Sequence, residues 1–188
     1  MEIPITYLQF GFFHVIPQGF DHVLFILALF LGSNSFKTMA QQGAIFTVAH
    51  SFSLGLTSFG LLMPNLPLIE VLIAGSIVYT ALDNILNSRL AATRHLVVFC
   101  FGLIHGMGFA NALTTFGLPK DHYFSALFFF NIGVEFGQIL ILVLAYLILF
   151  KRFGNKIWYK DRVVYPISCI VGCIALYWTI SRLFVWQT

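Results

Sequence analysis

Ionisable residues occur inside apolar stretches of this chain, where an isolated charge is costly. The segment FHVIPQGFDHVLF, residues 13–25, carries His14, Asp21 and His22 in otherwise hydrocarbon-rich surroundings. An unpaired charge at the middle of a bilayer costs about 2.5–3.5 kcal/mol on insertion scales. Imidazoles and carboxylates offset that cost by pairing or by binding a cation, and such a donor set suits divalent transition metals. The segment therefore indicates a polar centre with metal or proton chemistry.

Further polar side chains interrupt the later apolar stretches at similar positions. Counted from the outer end of each stretch, most lie about 12 residues in, or about 18 Å of helix, and His14 lies nearer the outer surface. We expect them to share one mid-membrane site that holds Ni²⁺, Co²⁺ or Zn²⁺. The candidate metal ligands are His14, Asp21, His22, His50, Asp83, His105 and Glu135, and the candidate supporting residues are Ser51, Asn84, Asn131 and Gln138.

The spacing of these residues predicts polar stripes on three helices. Residues separated by three or four positions share one helix face, and a polar stripe in a membrane helix points toward its neighbours. Glycines flank two of the candidates, and small residues four apart allow helix backbones to approach closely. The stripes are His14, Gln18, Asp21 and Phe25; Ser76, Thr80, Asp83 and Asn87; and Asn131, Glu135 and Gln138, and the glycines are Gly102, Gly106, Gly133 and Gly137.

The composition indicates the elements that position these groups. Hydrophobic residues make up 59% of the 188 residues, charged residues only 9%, and mean hydropathy is +0.90. Soluble domains carry about 25% charged residues, so the chain is predicted to be an all-α integral membrane protein. We expect one transmembrane helical domain over residues 1–188, with the lipid bilayer as its surroundings. We interpret the net charge of +3 as a result of basic loops that set the membrane topology, rather than as a sign of nucleic-acid binding.

Apolar runs of spanning length predict a compact bundle of about six transmembrane helices. They cover approximately residues 9–32, 41–62, 68–88, 95–117, 123–150 and 163–185. Pro17 and Gly19 break the first helix, because proline in a membrane helix leaves backbone groups that neighbours must satisfy. The sixth span has no ionisable residue before Arg182, and we expect it at the periphery of the bundle.

Basic residues predict the orientation. Most of them fall in the first, third and fifth loops, which the positive-inside rule assigns to the cytoplasm, so both termini lie outside. Lys120 and Arg182 fall on the other side. The cytoplasmic set is Lys37, Arg89, Arg94, Lys151, Arg152, Lys156, Lys160 and Arg162.

Each polar residue also has a purely structural interpretation. A lone His50 or His105 commonly makes a helix–helix hydrogen bond, and Thr47, Ser51 and Thr80 commonly bond to their own helix backbones. Cys169 and Cys173, four residues apart, are either soft metal ligands or ordinary small buried side chains. His95 and His122 lie at loop edges, where we expect them to be solvated. The shared depth of several residues favours a functional centre.

Five motifs in order resemble the HupE/UreJ family of bacterial membrane proteins. They are FHVIPQGFDHVLF, FTVAHSFSLGL, SIVYTALDNIL, FGLIHGMGFANAL and FNIGVEFGQ, and the resemblance covers approximately residues 10 to 145. The chain is similar to the membrane module of that family, without the extracytoplasmic N-terminal domain that many members carry. The resemblance implies a nickel or cobalt permease of the bacterial inner membrane. It also implies nickel-enzyme maturation machinery as a partner, and the family's motif positions fall on the candidate residues given above.

Three functions remain open. In a transporter, the ion enters past His14 and leaves past Asp83 and Asn87 into the cytoplasm. It binds between these points, near His22, His50, His105 and Glu135. An intramembrane zinc-dependent hydrolase, similar to the alkaline ceramidase and adiponectin-receptor superfamily, would use Ser51 with Asp21 or Glu135 as base. A non-enzymatic assembly or sensor protein with a structural metal is the third. The family resemblance favours the transporter over the enzyme.

Overall fold

Long apolar runs become helices, because a helix satisfies its backbone hydrogen bonds within its own segment. The computed structural model describes residues 3–33, 35–86, 94–117 and 120–187, and these ranges contain helices and no strand. The 3₁₀ turn Lys120–His122 precedes the helix that begins at Tyr123, and this helical segment continues through the π-helical turn Tyr146–Phe150 to Phe153. A second π-helical turn, Lys160–Val164, precedes the last helix. The helices are α1 (Ile3–Val15), α2 (Phe20–Leu31), α3 (Phe36–Ser58), α4 (Leu66–Leu86), α5 (Arg94–Phe116), α6 (Tyr123–Ala145) and α7 (Tyr165–Gln187).

The ends of α3 and α4 follow local capping chemistry. The Ser35 side chain accepts the backbone N–H of Thr38 at 3.2 Å and so caps α3. Beyond the end of α3, Gly60 has φ of 76°, a left-handed conformation that glycine adopts without strain. The Asn65 side chain accepts the N–H of Leu68 at the start of α4. The loop with Asn87 and Arg89 lies outside the described residues.

The first span is broken, as the sequence predicts. Helices α1 and α2 meet at an angle of 67° around Pro17 and Gly19. Gly19 is required there, because a Cβ at this position would lie 2.2 Å from the carbonyl oxygen of His14. The bend contradicts the predicted stripe of His14, Gln18, Asp21 and Phe25, since that stripe needs one continuous helix.

Length and composition support the membrane bundle. Helix α4 and the segments Tyr123–Phe153 and Lys160–Phe184 are long and apolar enough to span a membrane, and α1 with α2 forms a fourth, bent span. Helices α3 and α5 have 23 residues each, about 35 Å, but their polar residues lower their hydropathy. The helix lengths therefore agree with the six predicted membrane spans. Four of these spans are also apolar enough by composition. The orientation stays a prediction.

The helices pack most closely as three pairs: α1 with α6, α3 with α5, and α4 with α7. Glycines set the spacing, because a Cβ at Gly133 would lie 2.0 Å from the Leu8 carbonyl oxygen, and one at Gly106 would lie 2.2 Å from that of His50. The predicted close approach at the small residues is thus confirmed. Large apolar side chains such as Phe52 and Phe124 remain exposed on the outer surface, where a lipid environment suits them.

Candidate metal centre

Four histidines from four helices meet inside the bundle. His14 lies in the last turn of α1, His22 in the first turn of α2, and His50 and His105 lie near the middle of α3 and α5. All four are buried, with 0–8% of their surface exposed. In a straight helix His14 and His22 would be about 12 Å apart along the axis. The bend brings their ring centroids to 4.6 Å, so His14 does not lie above the others as the sequence suggested.

Three of these rings form a compact donor set. The His50 ring centroid lies 6.2 Å from that of His14 and 5.6 Å from that of His22. Each ring offers one nitrogen such that all three nitrogens lie within 4.8 Å of one another. Imidazole nitrogens bound to one ion at 2.0–2.1 Å are about 3–4 Å apart. Small side-chain rotations would therefore place one transition-metal ion among His14, His22 and His50.

Several ring nitrogens of the cluster lack hydrogen-bond partners among the residues that the structure describes. They are Nε2 of His14, His22 and His105 and both nitrogens of His50, all of them buried. More than 90% of buried polar groups are normally paired, and each unpaired one costs about 1–3 kcal/mol. Their concentration at one point is explained if a metal ion binds there, because the ion would accept the free lone pairs.

His105 is oriented as a fourth donor. Its ring centroid lies 5.3 Å from that of His22, and its Nδ1 lies 2.8 Å from the carbonyl oxygen of Phe101. A carbonyl oxygen only accepts hydrogen bonds, so Nδ1 carries the proton and Nε2 keeps its lone pair. A hydrogen bond of this kind fixes the tautomer and the ring orientation of many metal-binding histidines.

Aromatic side chains enclose the four histidines. The ring of Phe109 lies 3.5 Å from that of His14, centroid to centroid, and Phe25 and Phe46 lie 5.2 and 5.0 Å from His105. The ring centroid of Phe130 lies 5.8 Å from that of His14. These rings exclude water, and a dry, low-dielectric shell strengthens every electrostatic interaction inside it.

Asp21 turns away from the cluster to a basic residue of α7. Neighbouring helix positions diverge by about 100°, so Asp21 and His22 face different partners. Asp21 Oδ2 accepts a hydrogen bond from Arg182 at 3.0 Å, and Arg182 also donates to the Glu70 carbonyl oxygen at 3.0 Å. The sequence interpretation missed this pair. A carboxylate at this depth requires a cation, and that requirement was the available signal.

Asp83 and Asn84 belong to another polar cluster. Arg94 lies 3.5 Å from Asp83 and donates to the Gly32 carbonyl oxygen at 2.9 Å. Asn84 donates to the Ala28 carbonyl oxygen at 2.8 Å. These contacts lie near the C-terminal end of α2, whereas His22 lies in its first turn. The structure therefore does not bring Asp83 to the histidines, contrary to the expectation of one shared centre.

Glu135, Ser51 and Asn131 meet between α3 and α6. Glu135 accepts a hydrogen bond from Thr47 Oγ1 at 2.7 Å, and Ser51 Oγ lies 2.6 Å from both the Thr47 carbonyl oxygen and Asn131 Oδ1. They line a cavity of about 630 Å³ to which none of the four histidines contributes. The back-bonding expected for Ser51 is confirmed, whereas the hydroxyl of Thr47 bonds to another helix.

The remaining candidates lie apart from the cluster. Gln138 is buried beside Gly43 of α3, and neither polar atom of its amide has a hydrogen-bond partner. Cys169 and Cys173 are exposed on α7, and no metal-binding group found among the described residues includes them. His95 and His122 are exposed, as predicted.

Comparison with known proteins identifies the family. The family model described as HupE / UreJ protein matches residues 1–182 of the 188-residue chain. Comparisons with curated proteins and with solved structures gave no match. The match spans every helix described above, from α1 through most of α7. The chain therefore belongs to the HupE/UreJ family.

Proposed function

We propose that the protein transports a divalent transition-metal ion across the bacterial inner membrane, with Ni²⁺ or Co²⁺ as the cargo. The family suggests a function related to nickel or cobalt transport. The observation that carries the proposal is the convergence of His14, His22 and His50, with ring nitrogens within 4.8 Å of one another. Imidazole nitrogen suits nickel, cobalt and zinc, and His105 supplies a fourth donor.

The donor set favours reversible binding. The rings are neutral when they bind a metal, and the structure directs Asp21, Asp83 and Glu135 to other partners. A divalent ion bound by neutral ligands keeps its charge in a low-dielectric site, so it binds less tightly than it would beside carboxylates. A broken helix at the binding site is also common in transporters, in which it allows alternating access.

The test is metal flux into proteoliposomes that contain an entrapped metal-sensitive dye. We expect inward flux of Ni²⁺ or Co²⁺ down an imposed gradient. His50→Ala should lower the flux at least about tenfold, because it removes one of three converging donors. His95→Ala and His122→Ala are matched controls, since both histidines are exposed, and they should leave the flux unchanged. Wild-type protein without flux would contradict the proposal.

The contacts favour transport over hydrolysis. A zinc hydrolase would need Ser51 and a carboxylate base at the metal. Ser51 instead contacts Asn131, and Asp21 pairs with Arg182. Glu135 lies in the α3–α6 cavity with Thr47. A link to nickel-enzyme maturation follows from the family resemblance and is part of the same proposal.

A further inference from the structure

The cavity between α3 and α6 contains a group of oxygen donors. Thr47 and Ser51 lie one turn apart on α3, and Asn131 and Glu135 lie one turn apart on α6. Their side-chain oxygens contact one another in pairs at 2.6–2.7 Å. The Asn131 amide nitrogen donates to the Leu127 carbonyl oxygen of its own helix at 2.8 Å, which leaves the amide oxygen toward Ser51.

Glu135 gives this group one negative charge that lacks a counter-ion. Within the described ranges, Asp21 and Asp83 pair with arginines, whereas Glu135 forms no ion pair and is only hydrogen-bonded by Thr47. Its surroundings include apolar side chains such as Phe128 and Ile132. A carboxylate in such a place is costly unless a cation neutralises it.

We propose that Glu135, Thr47, Ser51 and Asn131 form a binding site for a sodium ion. Hard cations prefer oxygen donors, and these four side chains direct oxygens toward one another. The single carboxylate matches a monovalent ion, because the bound pair is then electrically neutral. A proton binds to a single oxygen, so a group of four oxygens on two facing helices suits a larger cation. The four side chains lie in an open groove of about 630 Å³ between α3 and α6.

The site shares α3 with the histidine centre. Thr47 and Ser51 occupy one face of α3, and the neighbouring His50 packs its ring against those of His14 and His22. An ion bound between α3 and α6 would therefore influence the position of His50. A coupling role for sodium rests on the proposed function, because sodium would then be the ion that drives metal transport. Sodium binding itself does not depend on metal transport.

Sodium binding is tested by the thermal stability of purified protein in NaCl, compared with KCl and choline chloride at equal ionic strength. We expect Tm to rise by roughly 3 °C per tenfold increase in sodium concentration above half-saturation. Glu135→Gln and Thr47→Val should abolish the rise. Glu70→Gln and Thr179→Val, the same changes on α4 and α7, should retain it. A rise that persists in Glu135→Gln, or equals that in KCl, would overturn the proposal.

A gain-of-function variant distinguishes loss of the sodium site from poor folding of a variant. Asn131→Asp gives the site two negative charges, so its preference should move from sodium to calcium. We expect a calcium-dependent rise in Tm for this variant and none for wild-type protein. If calcium does not stabilise Asn131→Asp, Asn131 does not bind the ion and the proposed site is wrong.

The sodium site and the metal transporter can be disproved independently of each other. His50→Ala should lose metal flux and keep the sodium-dependent rise in Tm. Wild-type protein that gains stability from sodium without any nickel or cobalt flux would retain the sodium site and reject the transporter. For coupling, an inward sodium gradient should increase metal flux at constant pH. Flux that follows a proton gradient and ignores sodium would overturn the coupling role.

Discussion

At the scale of single residues, the direction of a side chain decides its role. Asp21 and His22 are neighbours on α2, yet one bonds to Arg182 and the other joins the histidine cluster. On α3, the His50 ring lies beside His14 and His22, whereas Ser51 contacts Asn131 of α6. Sequence identifies which residue types are unusual in a membrane. The contacts show which of them act together.

The Asp21–Arg182 pair provides a test at this scale. Removing one partner leaves the other charge partly buried and unpaired, because only 25% of each side chain is exposed. We expect Arg182→Gln and Asp21→Asn each to lower Tm by roughly 5 °C. The double variant Asp21→Asn/Arg182→Gln should recover part of that loss. Arg152→Gln, an exposed control, should leave Tm unchanged. Losses that simply add in the double variant would contradict a direct pair.

At the scale of helices, the break between α1 and α2 brings together the histidines of the candidate metal centre. Pro17 and Gly19 indicate where the first span is interrupted, and this prediction is confirmed. The 67° bend and its direction depend on how α1 packs against α6, which no local signal contains. For this reason the sequence places His14 above the other histidines, whereas the structure places it in contact with His22.

Glycines between the helices provide a matched pair of variants. A Cβ at Gly106 would lie 2.2 Å from the His50 carbonyl oxygen, whereas one at Gly75 meets nothing within 4 Å. Gly106→Ala must push α3 and α5 apart and should cost about 1–3 kcal/mol of stability. Gly75→Ala should be neutral or stabilise by up to about 1 kcal/mol, because alanine favours helix. Equal effects of the two changes on unfolding would contradict the packing described for α3 and α5.

At the scale of the whole molecule, the sequence predicts the helical membrane fold but not which polar groups meet. Counting residues along each span brings Asp83 near the level of the histidines. Its partner Arg94 instead holds it at another cluster, near the C-terminal end of α2. Counting residues gives depth only if each helix is straight and begins at the same level, and the contacts between helices follow from packing. The helical membrane fold was therefore predictable, and the separation of its polar groups was not.

The predicted orientation is also a property of the whole bundle. Met63 lies between α3 and α4 and Ile157 between α6 and α7, and both side chains are more than 90% exposed. In a background with Cys100, Cys169 and Cys173 changed to serine, we expect a membrane-impermeant maleimide to label Met63→Cys in intact cells. Ile157→Cys should react only after the cells are opened. The reverse pattern would show that the termini face the cytoplasm.

The central claim is that imidazoles from four helices bind one metal ion. X-ray absorption at the nickel edge of the nickel-loaded protein measures the ligands directly. We expect three or four imidazole nitrogens at about 2.0–2.1 Å, and one fewer in His50→Ala, with no change in His122→Ala. A spectrum with oxygen ligands alone, or one that His50→Ala leaves unchanged, would contradict the claim.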